Sequence, residues 1–244
     1  MLKAETERLF RLLRRILMQK TLFFDLYFTL IVPAVIPGRN EWDYLGITQP
    51  EWNAFAETEE RCALADSGAI ETPRALTEEI ARWGNLSLSD ADLDELTRRR
   101  IERFRVTLMD VDPTILQTLK ALKEAGYKMC LVSNADVVDT LYWDKSPLAQ
   151  LMDEAVFSHR VRICKPEEGI YRHALARMRA VPEESVFIGD GGSDEHRGAK
   201  RLGMRTVLTT YLRPNGREGL EHRLLYADAV IDNFADLPKV LETL

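Results

Sequence analysis

Long apolar runs are missing from this 244-residue chain. Stretches such as Leu30-Ile31-Val32-Pro33 are short and interrupted, well under the roughly 20 apolar residues a membrane-spanning helix requires. No membrane span is therefore expected. Cysteine is scarce: Cys62, Cys130 and Cys164 stand far apart with no CxxC pair. An odd number at wide spacing argues against a disulfide framework or a thiolate zinc site and suits a reducing cytoplasm. Positive charge is not in excess, since 33 Lys and Arg face 39 Asp and Glu for a net charge of −6. There is thus no electrostatic reason to expect nucleic acid or an anionic membrane as partner. The four histidines, His159, His173, His196 and His222, show no metal-ligand spacing; His196 is expected at a solvated helix position. Neither an internal repeat nor a low-complexity segment is present.

With 45% hydrophobic and 30% charged residues, the composition is that of a soluble globular protein. The length suits one large α/β domain or a core carrying a smaller inserted one. Residues 1–20 read as an amphipathic helix: Leu9, Leu12, Leu13, Ile16 and Leu17 recur at helical spacing, and Arg8, Arg11, Arg14 and Arg15 fill much of the remainder. The segment is too polar for a secretory signal. It is read as a docked or dispensable helix, against a basic membrane-surface segment or a stretch upstream of a start at Met18.

From Leu22 the pattern changes. Leu22-Phe23-Phe24 is a short apolar run, and similar runs follow at residues 128–132, 155–157, 186–188, 206–208 and 229–231. Helical patterns over residues 113–125, 167–179 and 194–202 separate most of them. Such alternation predicts an α/β fold, a Rossmann-like parallel sheet with helices on both faces. Residues 35–111 do not alternate. Thr72-Pro73 and Ser89 are helix starts, the latter followed by Leu93, Leu96, Ile101 and Phe104. The expected organisation is an extension over residues 1–20, a catalytic core over 21–34 and 112–244, and an inserted all-helical cap over 35–111. Residues 211–220 are expected as a turn-rich surface loop.

Chemistry-bearing residues stand where the expected strands end, the place where open parallel sheets bind ligands. Asp25 follows the first run, Ser133-Asn134 the second, Lys165 stands in Cys164-Lys165-Pro166, and Asp190 follows a later run in Gly189-Asp190-Gly191-Gly192-Ser193-Asp194. A carboxylate can attack an electrophile when neighbours neutralise the developing charge. Lysine and serine can hold phosphoryl oxygens, and paired aspartates can hold Mg²⁺ together with waters and phosphate oxygens. Asp194, four positions past Asp190, can ligate or orient the same ion. Taken singly, each of these residues is more economically read as a turn cap or a surface charge. Cys164 beside Lys165 reads either as a reactive thiol or, by default, as a small residue ending a buried strand.

In order and context, the four fragments resemble the four signature motifs of the haloacid dehalogenase superfamily, over residues 21–34 and about 112–235, with an insertion similar to the helical cap of one large subgroup. The resemblance implies a nucleophile at Asp25 and a charge-neutralising Lys165. Substrate-binding residues would be Thr29, which also fixes the nucleophile's turn, Ser133 and Asn134. It further implies Mg²⁺ held by Asp25, the Tyr27 backbone carbonyl, Asp190 and Asp194, with a small, phosphorylated molecule as substrate. It departs at Tyr27, where most phosphatases of the family carry a second aspartate as general acid and base. Tyrosine here is the pattern of the family's metal-independent 2-haloacid dehalogenases, yet those usually replace the Gly-Asp that Gly189-Asp190 retains. Phosphomonoester hydrolysis is therefore the leading expectation, with dehalogenation or a non-catalytic binding role as alternatives. Asp136 is a possible substitute for the missing acid, although a solvated helix cap is the plainer reading. Trp42, Tyr44, Trp52, Arg61 and Arg74 are candidate substrate contacts that serve equally well as cap core or surface ion pairs.

Overall fold

The computed structural model describes residues 20–244; the helix expected over residues 1–20 lies outside them, Lys20 excepted. Among the described residues the sheet has six strands, all parallel. They are β1 (Thr21–Phe24), β2 (Lys128–Ser133), β3 (Glu154–Phe157), β4 (Ser185–Gly189), β5 (Arg205–Thr209) and β6 (Ala229–Ile231), in the order β3-β2-β1-β4-β5-β6. Each of the six apolar runs read from the sequence is a strand. β1 is apolar at every position after Thr21 because both of its faces are covered. Leu22 and Phe24 point into one core with Leu131, Ile188, Ile115 and Leu119. Phe23 points into the other with Val132, Phe187, Ile170 and Ala174. Ile115 and Leu119 come from α6 (Pro113–Glu124), Ile170 and Ala174 from α8 (Glu168–Met178), which follows the short α7 (Ser158–Val161), so the sheet is a layer between helices.

Chain order reverses across β1: the chain leaves it toward β2 on one side and later returns beside it as β4. A crevice opens at such a switch point, outside the carboxyl ends of the strands. Register places Phe24 level with both Leu131 and Ile188, so the residues that follow β1, β2 and β4 emerge together at one rim.

Between β1 and α6 the chain forms five helices, α1 (Glu41–Leu45), α2 (Gln49–Ala56), α3 (Glu59–Asp66), α4 (Pro73–Trp83) and α5 (Asp90–Met109). Helices α4 and α5 begin at the expected caps. Thr72 Oγ1 accepts from Ala75 N at 3.2 Å, and Ser89 forms a reciprocal capping box with Asp92. The segments that lead into and out of this insertion lie side by side, since Ala34 N donates to Thr107 Oγ1 at 2.9 Å. The insertion has a small core of its own, with Trp42, Trp52, Leu76, Ile80 and Phe104, to which Val138 of the sheet domain contributes. Trp42 and Trp52 are thus core residues. Tyr44 donates to Asp92, and Arg74 pairs with Glu78, Asp90 and Asp94 at the surface.

The insertion also buries charge. Arg103 grips Glu41 through two bonds of 2.7 and 2.9 Å, with its guanidinium 4.6 Å from the Phe104 ring. Arg100 stands between Glu41, Glu57 and Asp136 at 3.4–3.5 Å. Burial alone would raise the Glu41 carboxyl, but the two arginines outweigh it and hold it below the usual range. Among the described residues no helix is long and apolar enough to cross a membrane.

Removing one member of a buried pair leaves the other charged and unpaired. Glu41→Leu is expected to lower unfolding stability by about 3–5 kcal/mol at pH 7 in a urea titration. Because the folded-state pKa of Glu41 is depressed, its contribution is present above the unfolded value and lost as pH falls through the folded one. The gap between wild type and variant should therefore narrow in acid, below about pH 4.

Candidate active site

β1 ends in a tight turn that turns Asp25 back across the rim. Leu30 N and Ile31 N donate to Leu26 O, Phe28 N donates to Ile31 O, and Phe28 adopts a left-handed φ of 57°. Thr29, fully buried, ties this turn to the next strand: its hydroxyl donates to Asp25 Oδ2 at 2.9 Å and accepts from Asp190 N at 2.9 Å. Thr29 thus bonds the turn that carries Asp25 to the end of β4. Its hydroxyl is engaged within the protein and does not line the cleft.

Lys165 is the centre of the site. Its ammonium lies 2.5 Å from Asp25 Oδ1 and 2.6 Å from Glu195 Oε2, with the side chain almost wholly enclosed. The loop that carries it is clamped by Asn134, whose amide accepts from Lys165 N at 2.7 Å and donates to Lys165 O at 3.0 Å. Burial would lower the lysine's pKa, but Asp25 and Glu195 overcome this and raise it, so the ammonium is charged at any working pH. Ser133, fully buried, donates to Asn134 O at 3.0 Å.

Glu195 was not read from the sequence. It opens α9 (Glu195–Arg201), and one oxygen accepts from Gly191 N at 3.0 Å while the other takes Lys165. Burial pushes its carboxyl well up, helped by the facing Asp25 and Asp190 and opposed by Lys165. Burial likewise raises Asp25 against the pull of Lys165. Among the described residues, Asp25, Asp190 and Glu195 form the one group of three side chains with metal-ligating atoms within 4.8 Å of one another. Asp194 is turned elsewhere, toward Arg197 at 3.2 Å and His222 at 3.6 Å. Consecutive left-handed residues, Ser193 at φ 52° and Asp194 at φ 50°, rotate the chain so that Glu195 faces inward.

Asp190 is held by Gly192 N on one oxygen and by Arg213 at 3.0 Å and Arg223 at 2.8 Å on the other. Both arginines come from the segment between β5 and β6, so the loop expected as plain surface reaches the cleft. The cleft has a volume of about 470 Å³, and its walls include Asp25, Asn134, Lys165, Asp190, Arg213 and Asp66 from the cap.

Several expectations are corrected here. Asp136 is not a solvated cap: it is 3% exposed, accepts from Val138 N and Asp139 N, and faces Arg100. His196 is 2% exposed rather than solvated, and burial pushes its imidazole down to about 4. Cys164 does not end a strand; it lies in the loop before α8, and burial raises its thiol, which does not favour a reactive thiolate. Arg61 is 1% exposed and bonded to Cys62 and Glu57 rather than free for a ligand. The Tyr27 ring packs edge-on against Phe104 of the cap, 6.3 Å between centroids. Burial first, then Asp139 and Asp136, raise its phenol well above the ordinary value, so it is no base at neutral pH.

The comparisons with known proteins follow the geometry. The family model for haloacid dehalogenase-like hydrolases matches residues 19–203. The chain belongs to that family. It is 32% identical over 133 residues to a glyceraldehyde 3-phosphate phosphatase of Methanothermobacter thermautotrophicus, 53% of this chain and 58% of that one. It is 33% identical over 129 residues to the bifunctional epoxide hydrolase 2 of Rattus norvegicus, 51% of this chain and 21% of that one. These matches thus span 58% or less of the relatives' own length. Among solved structures, the L-2-haloacid dehalogenase of Xanthobacter autotrophicus aligns with a TM-score of 0.67 at 18% identity, over 92% of this chain and 99% of that one. A HAD phosphatase from Thermococcus onnurineus aligns at 0.59 and 25% identity, over 91% and 97%. Both share the fold, a parallel sheet with a helical cap.

The glycine of Gly189-Asp190 has a steric cause. A Cβ at residue 189 would lie 1.9 Å from Glu195 Oε1 and 3.3 Å from Asp25 Cβ, so Glu195 reaches Lys165 only across a bare backbone. Gly189→Ala is expected to expel Glu195 from the site and lower stability by about 3 kcal/mol or more. Thermal unfolding together with the loss of Lys165's second partner in a crystal structure checks this.

Proposed function

We propose that this chain is a Mg²⁺-dependent phosphomonoester hydrolase of a small phosphorylated metabolite, working through an aspartyl-phosphate at Asp25. The observation that carries the reading is the convergence of Asp25, Asp190 and Glu195, whose carboxylate oxygens lie within 4.8 Å of one another. Lys165 pairs with two of these carboxylates, and the arginines at Asp190 come from the segment between β5 and β6 at the cleft wall; the converging carboxylate oxygens are the donors that suit a hard divalent cation. Asp25, Asp190 and Glu195 would hold the ion, with the Tyr27 carbonyl as a further oxygen and Asp194 as an outer neighbour. When bound, Mg²⁺ supplies charge neutralisation to the phosphoryl oxygens and to the attacking carboxylate.

The residues of the chain supply the rest. Thr29 and Lys165 hold the two oxygens of Asp25 in place, so that attack needs little rearrangement. Lys165 neutralises charge on the transferring group, and its clamp by Asn134 fixes where that charge sits. Arg213 and Arg223 offer guanidinium groups at the cleft wall, suited to the oxygens of an anionic substrate. The curated phosphatase relatives support the reaction class. A HAD family enzyme of Bacteroides thetaiotaomicron, 19–20% identical and solved twice as a magnesium complex, shares the fold that frames such a site.

A second reading, 2-haloacid dehalogenation without metal, is favoured by two observations. Tyr27 stands where a general acid is expected, and Arg213 and Arg223 already neutralise Asp190.

The deciding experiment assays phosphate release from a panel of phosphomonoesters in Mg²⁺, beside halide release from a 2-haloacid. Mg²⁺-dependent phosphate release is expected, together with a rise in melting temperature on adding Mg²⁺ that Asp190→Asn removes. Asp25→Asn should lower turnover at least about 10³-fold. Full turnover in chelator, or in Asp25→Asn, refutes the reading, and halide release without metal installs the second.

A further inference from the structure

Attack by Asp25 on a phosphomonoester leaves two proton transfers without an owner, because position 27 carries no carboxyl and the Tyr27 ring is packed edge-on against Phe104 of the cap. The cap offers a replacement. Along α3, Glu59, Cys62, Ala63 and Asp66 fall at i, i+3, i+4 and i+7, one face of the helix, and this face borders the groove shared with Asn134, Lys165 and Arg223. Asp66 ends that stripe and also lines the cleft that holds Asp25 and Asp190. Whereas Glu41 and Glu57 are held by Arg100, Arg103 or Arg61, Asp66 forms no ion pair among the described residues.

Its position is fixed from behind. Just past α3 the chain turns at Gly68, at φ 76°, and a Cβ there would lie 2.3 Å from the carbonyl oxygen of His159 in the sheet domain. Backbone rests on backbone at this point. The end of α3 is therefore seated on the core, where Asp66 lines the cleft.

We propose that Asp66 is the general acid and base of this active site, a carboxyl delivered by the cap in place of the group missing at Tyr27. The inference rests on the phosphohydrolase reading. In the first half-reaction an Asp25 oxygen forms a bond to phosphorus, the ester P–O bond breaks, and the departing oxygen takes the proton of the Asp66 carboxylic acid. In the second, the Asp66 carboxylate takes a proton from water as that water's oxygen bonds to phosphorus. The bond between phosphorus and Asp25 then breaks, returning the Asp25 carboxylate, releasing phosphate and leaving Asp66 protonated for the next cycle.

The electrostatics suit both halves. Burial first, then Asp136, raises the Asp66 carboxyl to about 7; Glu57 adds to this, while Arg61 and Lys165 oppose it. Glu59 and Cys62 on its own helix, Asp194, His222 and Arg223 across the groove, Asp139 and Cys164 of the sheet domain, and Asp25, Tyr27, Asp190, Glu195 and Arg213 along the cleft also face it. A pKa near the working pH populates both the donor and the acceptor form.

The test compares wild type, Asp66→Asn and Asp25→Asn on p-nitrophenyl phosphate, whose leaving group departs without protonation, and on glycerol phosphate, whose alkoxide must be protonated. Asp66→Asn is expected to lower kcat/KM for glycerol phosphate about 10²–10³-fold. With p-nitrophenyl phosphate it should keep a burst of one nitrophenolate per enzyme while steady turnover falls. The decline of kcat/KM for the alkyl ester above about pH 7 should vanish in the variant. A readout independent of catalysis accompanies these. A carboxyl whose folded-state pKa is raised destabilises the fold as pH rises from its unfolded value through the folded one. Asp66→Asn should therefore melt higher than wild type at pH 8 and lose that advantage by pH 4. Wild-type turnover that Asp25→Asn abolishes and Asp66→Asn leaves intact overturns the role of Asp66 alone. Equal losses on both substrates, burst included, overturn it too. No phosphate release by wild type at all overturns the phosphohydrolase reading beneath it.

Discussion

The ammonium of Lys165, enclosed between Asp25 and Glu195, is the contact on which the site depends. A charge of that kind is costly to bury unless it is paired and its remaining donors are satisfied. Here it draws together elements far apart in sequence: the turn after β1, the loop before α8 and the start of α9. Asn134 anchors the lysine's backbone to the end of β2, and Thr29 joins the β1 turn to Asp190 after β4. The rim of the sheet is thereby one bonded unit, and Asp25 has little freedom within it. Rigidity of this sort is what electrostatic catalysis requires, since dipoles and charges that are already oriented cost nothing to reorganise during reaction.

A second layer of buried charge lies between cap and core. Arg100 bridges Glu41 and Glu57 of the cap to Asp136 of the core, so the insertion docks through ion pairs as well as through Phe104 and Val138. Such pairs fix orientation more than they add stability. Together with the backbone contact at Gly68, they define how α3 lies over the cleft.

Much of this was legible in the sequence, and the reasons differ from element to element. The strands could be read because β1, β2 and β4 are covered on both faces and so are apolar almost throughout. Asp25, Lys165 and Asp190 could be read because each immediately follows such a run or stands in a recognisable fragment, and the structure does bring them together. Glu195 could not, because two adjacent carboxylates compete and only the left-handed turn at Ser193 and Asp194 decides which faces inward. Gly189 carried the missing signal, since the space it leaves is filled by Glu195. Arg213 and Arg223 depend on where a long loop folds, which no local pattern encodes. The buried arginines of the cap were hidden by the general rule that charged residues lie outside, and Asp66 by the ordinariness of a single aspartate at a helix end.

The insertion leaves and rejoins the sheet domain at one place, where Ala34 bonds to Thr107. A segment attached in this way is a natural cassette, exchangeable between related chains with a single junction to repair. In most such arrangements a graft would transfer substrate preference and leave the chemistry behind. In this chain the cassette also carries Asp66, so under the proposed mechanism recombining the cap would exchange the proton-transferring group along with the cleft wall it lines.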